Sequence, residues 1–197
     1  MSSSPLTTLT GARAFASDLR SFLTQQFNET GGLGAFLVLL MTRNPETGLL
    51  LPNSPVATPV SALSVHADPD TGRPVTGTNP FSSPEAKAAF SVGIRQLAAR
   101  SDSVGILFAH EAWLVTATPG GAIDLSVAPS AHPQRQEVVL LSLQHHGGSA
   151  LWQAPILRNV PDDGHPSLGA FTEIPLHGGK GEGQFWNLLP PQSHQYN

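Results

Sequence analysis

The chain has no cysteine. That absence removes disulfides, thiolate nucleophiles and sulfur-ligated zinc or iron–sulfur centres together. Charge is also scarce, with Asp, Glu, Lys and Arg making up 12% of the 197 residues, against roughly 25% in an average soluble protein. So little charge leaves a surface covered by small polar residues, Gly and Pro, or one partly hidden against other subunits. The formal net charge is -4 and the ten Lys and Arg residues are scattered. Nucleic-acid binding needs clustered cations to displace counterions from phosphates, so no nucleic-acid partner is expected. Anionic membrane surfaces fall by the same argument. Long apolar runs are missing too: the most apolar, residues 33–41, has nine residues, where a helical bilayer span takes roughly 20. The amino terminus has no positive region followed by an apolar stretch, so cytoplasmic residence is expected, with incorporation into a particle left open.

What is abundant is Gly and Pro, at 19 and 18 residues. The length suffices for one domain that buries roughly 70% of its unfolded surface without metal or disulfide staples. Residues 1–9 read as a flexible start and residues 10–176 as a single α+β domain. Residues 177–197 read as an extended Gly/Pro-containing tail anchored by Phe185 and Trp186. Within the domain, Ala12, Phe15, Leu19, Phe22, Leu23 and Phe27 recur at helical spacing, which predicts an amphipathic helix over residues 10–29 with Thr10 as N-cap and Gly31-Gly32 as its stop. Residues 35–41 are apolar on both faces and predict a buried central strand. Leu49-Leu50-Leu51 suggests a second short strand. Residues 52–80 contain six prolines, which predict an irregular excursion and a candidate partner-binding segment.

Ser83, Pro84 and Glu85 form a helix start, with Phe90, Ile94 and Leu97 as the apolar stripe and an end near residues 100–103. Residues 104–115 follow as a strand that is oily except at His110-Glu111. Residues 123–127 predict a short hairpin return. Residues 137–144 and 150–158 flank His145-His146-Gly147-Gly148 as a β-hairpin, and Pro155 places the second arm at an edge or a bulge. Residues 169–176 supply a last strand. Together these give a mainly antiparallel sheet packed by two amphipathic helices on one face. A mixed sheet with one parallel pair through the Ser83 helix is the alternative.

The candidate chemistry lies in histidines and carboxylates. His110 and Glu111 interrupt an apolar strand, whose alternation sends them to opposite faces. The plain reading is a structural polar pair, with Arg135 or Arg158 compensating the carboxylate. The sharper one is a catalytic acid/base pair or a metal ligand at the bottom of a pocket. The order Glu111, then Ala131-His132-Pro133, partly resembles the zinc-dependent deubiquitinase-type metalloproteases. Ser130, however, stands where that family has its first paired histidine, and residues 134–144 hold no Ser-x-x-Asp. The resemblance is rejected. His145 and His146 at a hairpin tip, with His132, His165 or His177, form a second candidate set for zinc or another divalent metal. No cofactor is expected otherwise.

Neither a calcium loop at residues 68–72, nor a phosphate loop around Lys180, nor a Gly-x-Ser-x-Gly elbow is complete. The first expectation is therefore a non-enzymatic assembly or protein-interaction subunit, as in a phage or other large particle, acting through a protein partner or self-association. The alternatives are a small hydrolase using His110 and Glu111, and a small regulatory binding domain.

Overall fold

The computed structural model describes residues 5–51, 55–61, 70, 83–115, 127–158, 165–176 and 187–191. The first element, α1 (Leu9–Thr30), starts where the Thr8 hydroxyl accepts the Gly11 N–H at 3.1 Å. Thr8, two residues before the expected cap, does this because its extended backbone leaves the side chain beside the first free amides. The helix ends at Gly31, whose φ of 74° turns its N–H back onto the Phe27 carbonyl at 2.7 Å. Ala12, Ala16, Leu19, Leu23 and Phe27 are the buried stripe.

The strands follow as β1 (Phe36–Met41) and β2 (Val56–Ser61), then α2 (Pro84–Arg100) and β3 (Gly105–Leu114). After a 3-10 turn at Pro129–Ala131 come β4 (Gln136–His145), β5 (Gly148–Leu157), β6 (Ser167–Leu168) and β7 (Thr172–Ile174). Among the described residues the sheet has seven strands in the order β2-β1-β3-β4-β5-β6, with β7 also on β5, and every pairing is antiparallel. The protein is thus α+β with an antiparallel sheet, and the mixed-sheet alternative is set aside.

The helices lie on opposite faces, not on one. Val38, Leu40, Leu107, Ala109, Val139, Leu141 and Trp152 pack with the α1 stripe. Leu37, Leu39, Met41, Ile106 and Phe108 pack with Phe90, Ile94 and Ala98 of α2 and with Leu188. The reason is in the strands: β1 and β3 are apolar on both sides, and each side needs its own cover.

Other differences have local causes. Residues 49–51 make no strand, only a bridge between Leu50 and Arg43, because the chain there doubles back over a tight turn. Residues 56–61 of the expected irregular excursion instead form β2. Pro59 is tolerated because β2 is the outermost strand among the described residues; residues 52–54, 62–69 and 71–80 lie outside them. Pro155 sits where the outer cover of β5 changes from β7 to β6, and its carbonyl accepts the Gly169 N–H at 2.8 Å. Of the last strand expected over residues 169–176 only β7 (Thr172–Ile174) forms, and β6 lies just before those residues. Residues 123–126 of the expected hairpin return and the tail anchors Phe185 and Trp186 lie outside the described residues. Among the described residues no helix is long and apolar enough to cross a membrane.

The α1 layer is fastened at both ends. Arg13 and Arg20 lie over the Trp152 ring at 5.5 and 5.1 Å, Arg13 pairs with Glu173 of β7 at 2.6 Å, and Asn28 Oδ1 accepts the Leu168 N–H at 2.8 Å. Gly31 is the sensitive point, since a Cβ there would stand 3.1 Å from His165 Nδ1 on a positive-φ backbone. Gly31→Ala is expected to lower unfolding free energy by about 1–2 kcal/mol, measured by urea denaturation; an unchanged midpoint would contradict this account of the helix stop.

Candidate functional site

The interior of β3 is fully buried as far as Ala109, and from His110 the cover thins. His110 points to the α2 side, its ring 5.0 Å from that of Phe108, with Nδ1 donating to the Glu111 carbonyl at 3.0 Å. Burial holds this imidazole below its ordinary range; the bond to the Glu111 carbonyl opposes that shift and the charge of Lys87 reinforces it. Glu111 points to the α1 side, is exposed, and its Oε1 accepts the Leu33 N–H at 2.6 Å just beyond α1. The two side chains share no reaction point. Arg158, one of the two cations expected to compensate Glu111, forks onto both oxygens of Glu137; that bond and charge, with a smaller contribution from the charge of Glu111, hold the guanidinium above its ordinary value.

Among the described residues the remaining histidines form no common site, and His177 of the candidate metal set lies outside the described residues. His132 is buried in the turn before β4, where its Nδ1 accepts the Gln134 N–H and its carbonyl the Arg135 N–H, both at 3.1 Å. His145 ends β4 on the α1 side and is 7% exposed. Its Nδ1 accepts the Gly147 N–H at 2.9 Å, so the neutral ring carries its proton on Nε2, which is buried without a hydrogen-bond partner. Burial lowers its pKa; the Leu6 backbone opposes this and the adjoining His146 adds to it. Space for the ring exists because Gly105 lies opposite, where a Cβ would stand 3.1 Å from His145 Cδ2. His146 turns the other way, towards Ala98, Asp102 and Pro190. Among the described residues no three or more of His, Asp and Glu gather to hold a metal ion.

What the fold does assemble is a shallow, wide-open cleft of about 510 Å³ at the far end of β3, β4 and β5. Trp113 and Glu137 are cross-strand neighbours on the α1 side of the sheet. Pro133, Arg135, Ile156 and Arg158 complete the walls. Arg135 lies over the Trp113 ring at 5.0 Å. A cation over a ring is held by attraction to the ring's negative face, and Arg135 also reaches the His132 carbonyl at 3.5 Å. Arg158 is neutralised by Glu137, whereas no carboxylate among the described residues pairs with Arg135.

The opposite end of the sheet carries a projecting arm. Beyond Met41 the chain stays paired through Arg43 and Leu50, and Thr42 and Arg43 donate to the Ser101 carbonyl at 3.2 and 2.9 Å. The tip is fixed by Asn44, whose Oδ1 accepts from Glu46 and Thr47 and whose carbonyl accepts from Gly48. Leu49 and Leu50 nevertheless stand 69% and 68% exposed.

Comparison of the chain with protein-family models, curated proteins and solved structures finds no match. The reading of the site therefore rests on its own chemistry. The cleft pairs an unneutralised cation with the apolar surfaces of Trp113, Pro133 and Ile156, which suits an acidic, apolar ligand. Sequence reasoning passed over it because Trp113 looked like another strand residue and Arg135 was read only as a possible partner for Glu111. Only the aromatic in the outgoing half of an oily strand could have signalled it.

The two shifted histidines make a testable pH dependence. With folded pKa values below the ordinary 6.5, the unfolded chain binds protons first as pH falls. Stability is fully present above about pH 7 and is lost below about 6.5, at up to about 1.4 kcal/mol per pH unit for each proton. Two-dimensional NMR should show His110 and His145 titrating below a free imidazole, and urea midpoints should drop from pH 7 to 5.5. His145→Asn, which keeps an acceptor for Gly147, should reduce that slope; a pH-independent midpoint would refute the assignment.

Proposed function

We propose that this protein is a non-enzymatic assembly subunit that works by holding other protein surfaces. The observation that carries the reading is the arm: two adjacent leucines, 69% and 68% exposed, on a turn fixed by its own hydrogen bonds and anchored to the end of α2. A loose loop can fold its leucines inward. This one is held away from both cores, and exposed apolar groups on a preorganised element are what a partner surface covers at little ordering cost. Val56, 37% exposed at the start of β2, adds a further exposed apolar side chain. The low charge of the chain points the same way.

The reading makes a separable claim about stability and association. Leu49→Ser/Leu50→Ser is expected to change unfolding free energy by no more than about 0.5 kcal/mol, since neither residue packs in a core. The same variant should lose association, seen as a fall in mass by sedimentation or light scattering, or as loss of a defined partner from native complexes. Wild-type protein that stays monomeric to its solubility limit, and that retains the same partners as the variant, would overturn the reading.

A further inference from the structure

The arm and the cleft are complementary. The arm offers Leu49, Leu50 and the exposed carboxylate of Glu46, which pairs with no cation among the described residues. Arg43, the cation beside it, donates instead to the Gly48 carbonyl. Beside the mutually paired Glu137 and Arg158, the cleft offers the part of Trp113 that Arg135 leaves uncovered, Pro133 and Ile156, and Arg135 itself, exposed and with no carboxylate on it among the described residues. Each surface leaves unsatisfied what the other supplies.

We infer that the arm of one copy seats in the cleft of a second copy, with Leu49 and Leu50 against Trp113 and Ile156 and the Glu46 carboxylate on Arg135. The occupant is a second copy because the arm cannot reach its own cleft. Leu40 pairs with Gly105 at one end of β3, and Trp113 stands at the other. Eight residues of strand separate them by about 27 Å, and the arm leaves the sheet in the opposite direction. The contact joins unlike surfaces. Made one way it grows a ring or filament, and made reciprocally between inverted copies it closes a two-fold pair. An arm tip buries an area at the low end for specific interfaces, so micromolar affinity is expected, with repetition supplying the strength.

The inference rests on the assembly reading, and charge reversal in the full chain separates their failures. Glu46→Arg and Arg135→Glu should each weaken self-association by about tenfold or more in sedimentation measured from about 5 to about 500 µM. The two substitutions in one chain should restore most of it. A second arm uses capped copies: Leu49→Asp/Leu50→Asp keeps the cleft, Arg135→Glu keeps the arm, and an equimolar mixture should give a 1:1 complex that grows no further while each alone is monomeric. Wild-type self-association unchanged by both charge reversals would overturn this contact and leave the assembly reading standing through another surface. A wild-type monomer at the highest concentration would overturn the contact outright, and the partners retained by the Leu49→Ser/Leu50→Ser variant would then decide the broader reading.

Discussion

Everything in this fold depends on β1 and β3 being apolar on both faces. A strand pair with one polar face can leave that face in water, but Leu37, Leu39, Ile106 and Phe108 cannot stay exposed any more than Val38, Leu40 and Leu107 can. Each such side chain contributes about 1.5–3 kcal/mol when buried, so the sheet is stable only with a cover on either side. The alternation of the pleat sorts the two sets, one to α1 and the other to α2. A three-layer arrangement follows, although the antiparallel strands would by themselves have allowed two layers.

The same constraint fixes where polar chemistry can stand. Within the covered stretch β3 tolerates only apolar residues, and the first polar ones, His110 and Glu111, come where the cover ends. Adjacent positions on a strand diverge, so a carboxylate and an imidazole one residue apart are sent to different layers and are satisfied by different neighbours. Positions paired across strands, by contrast, converge. Trp113, Glu137 and Ile156 share the α1 side of the sheet, and the turn containing His132 brings Arg135 over them. The cleft is a product of register.

The sheet margins divide the labour differently. On the β5 side the margin is closed twice, by β7 and by β6, with the break placed at Pro155, which has no N–H to offer. On the β2 side the described residues bring no further strand, and Pro59 interrupts the row of donors there. An edge blunted by proline but flanked by Leu49, Leu50 and Val56 favours side-chain docking over extension of the sheet.

The sequence by itself determined the elements whose signal is local: the spacing of Leu19, Leu23 and Phe27, the Ser83-Pro84-Glu85 helix start, the double-sided strands and the hairpin through His146 and Gly147. Period and capping are written within a few residues, and the antiparallel α+β class follows from their order. It also showed that His110 and Glu111 must part, since divergence of neighbours is a property of any strand. Only the tertiary structure decided that the helices take opposite faces, that residues 56–61 pair as an edge, that Arg158 belongs to Glu137, and that Trp113 and Arg135 meet. These depend on strand order and register, in which residues distant in the chain are brought to one place by the packing of both faces at once, and no local pattern encodes that choice.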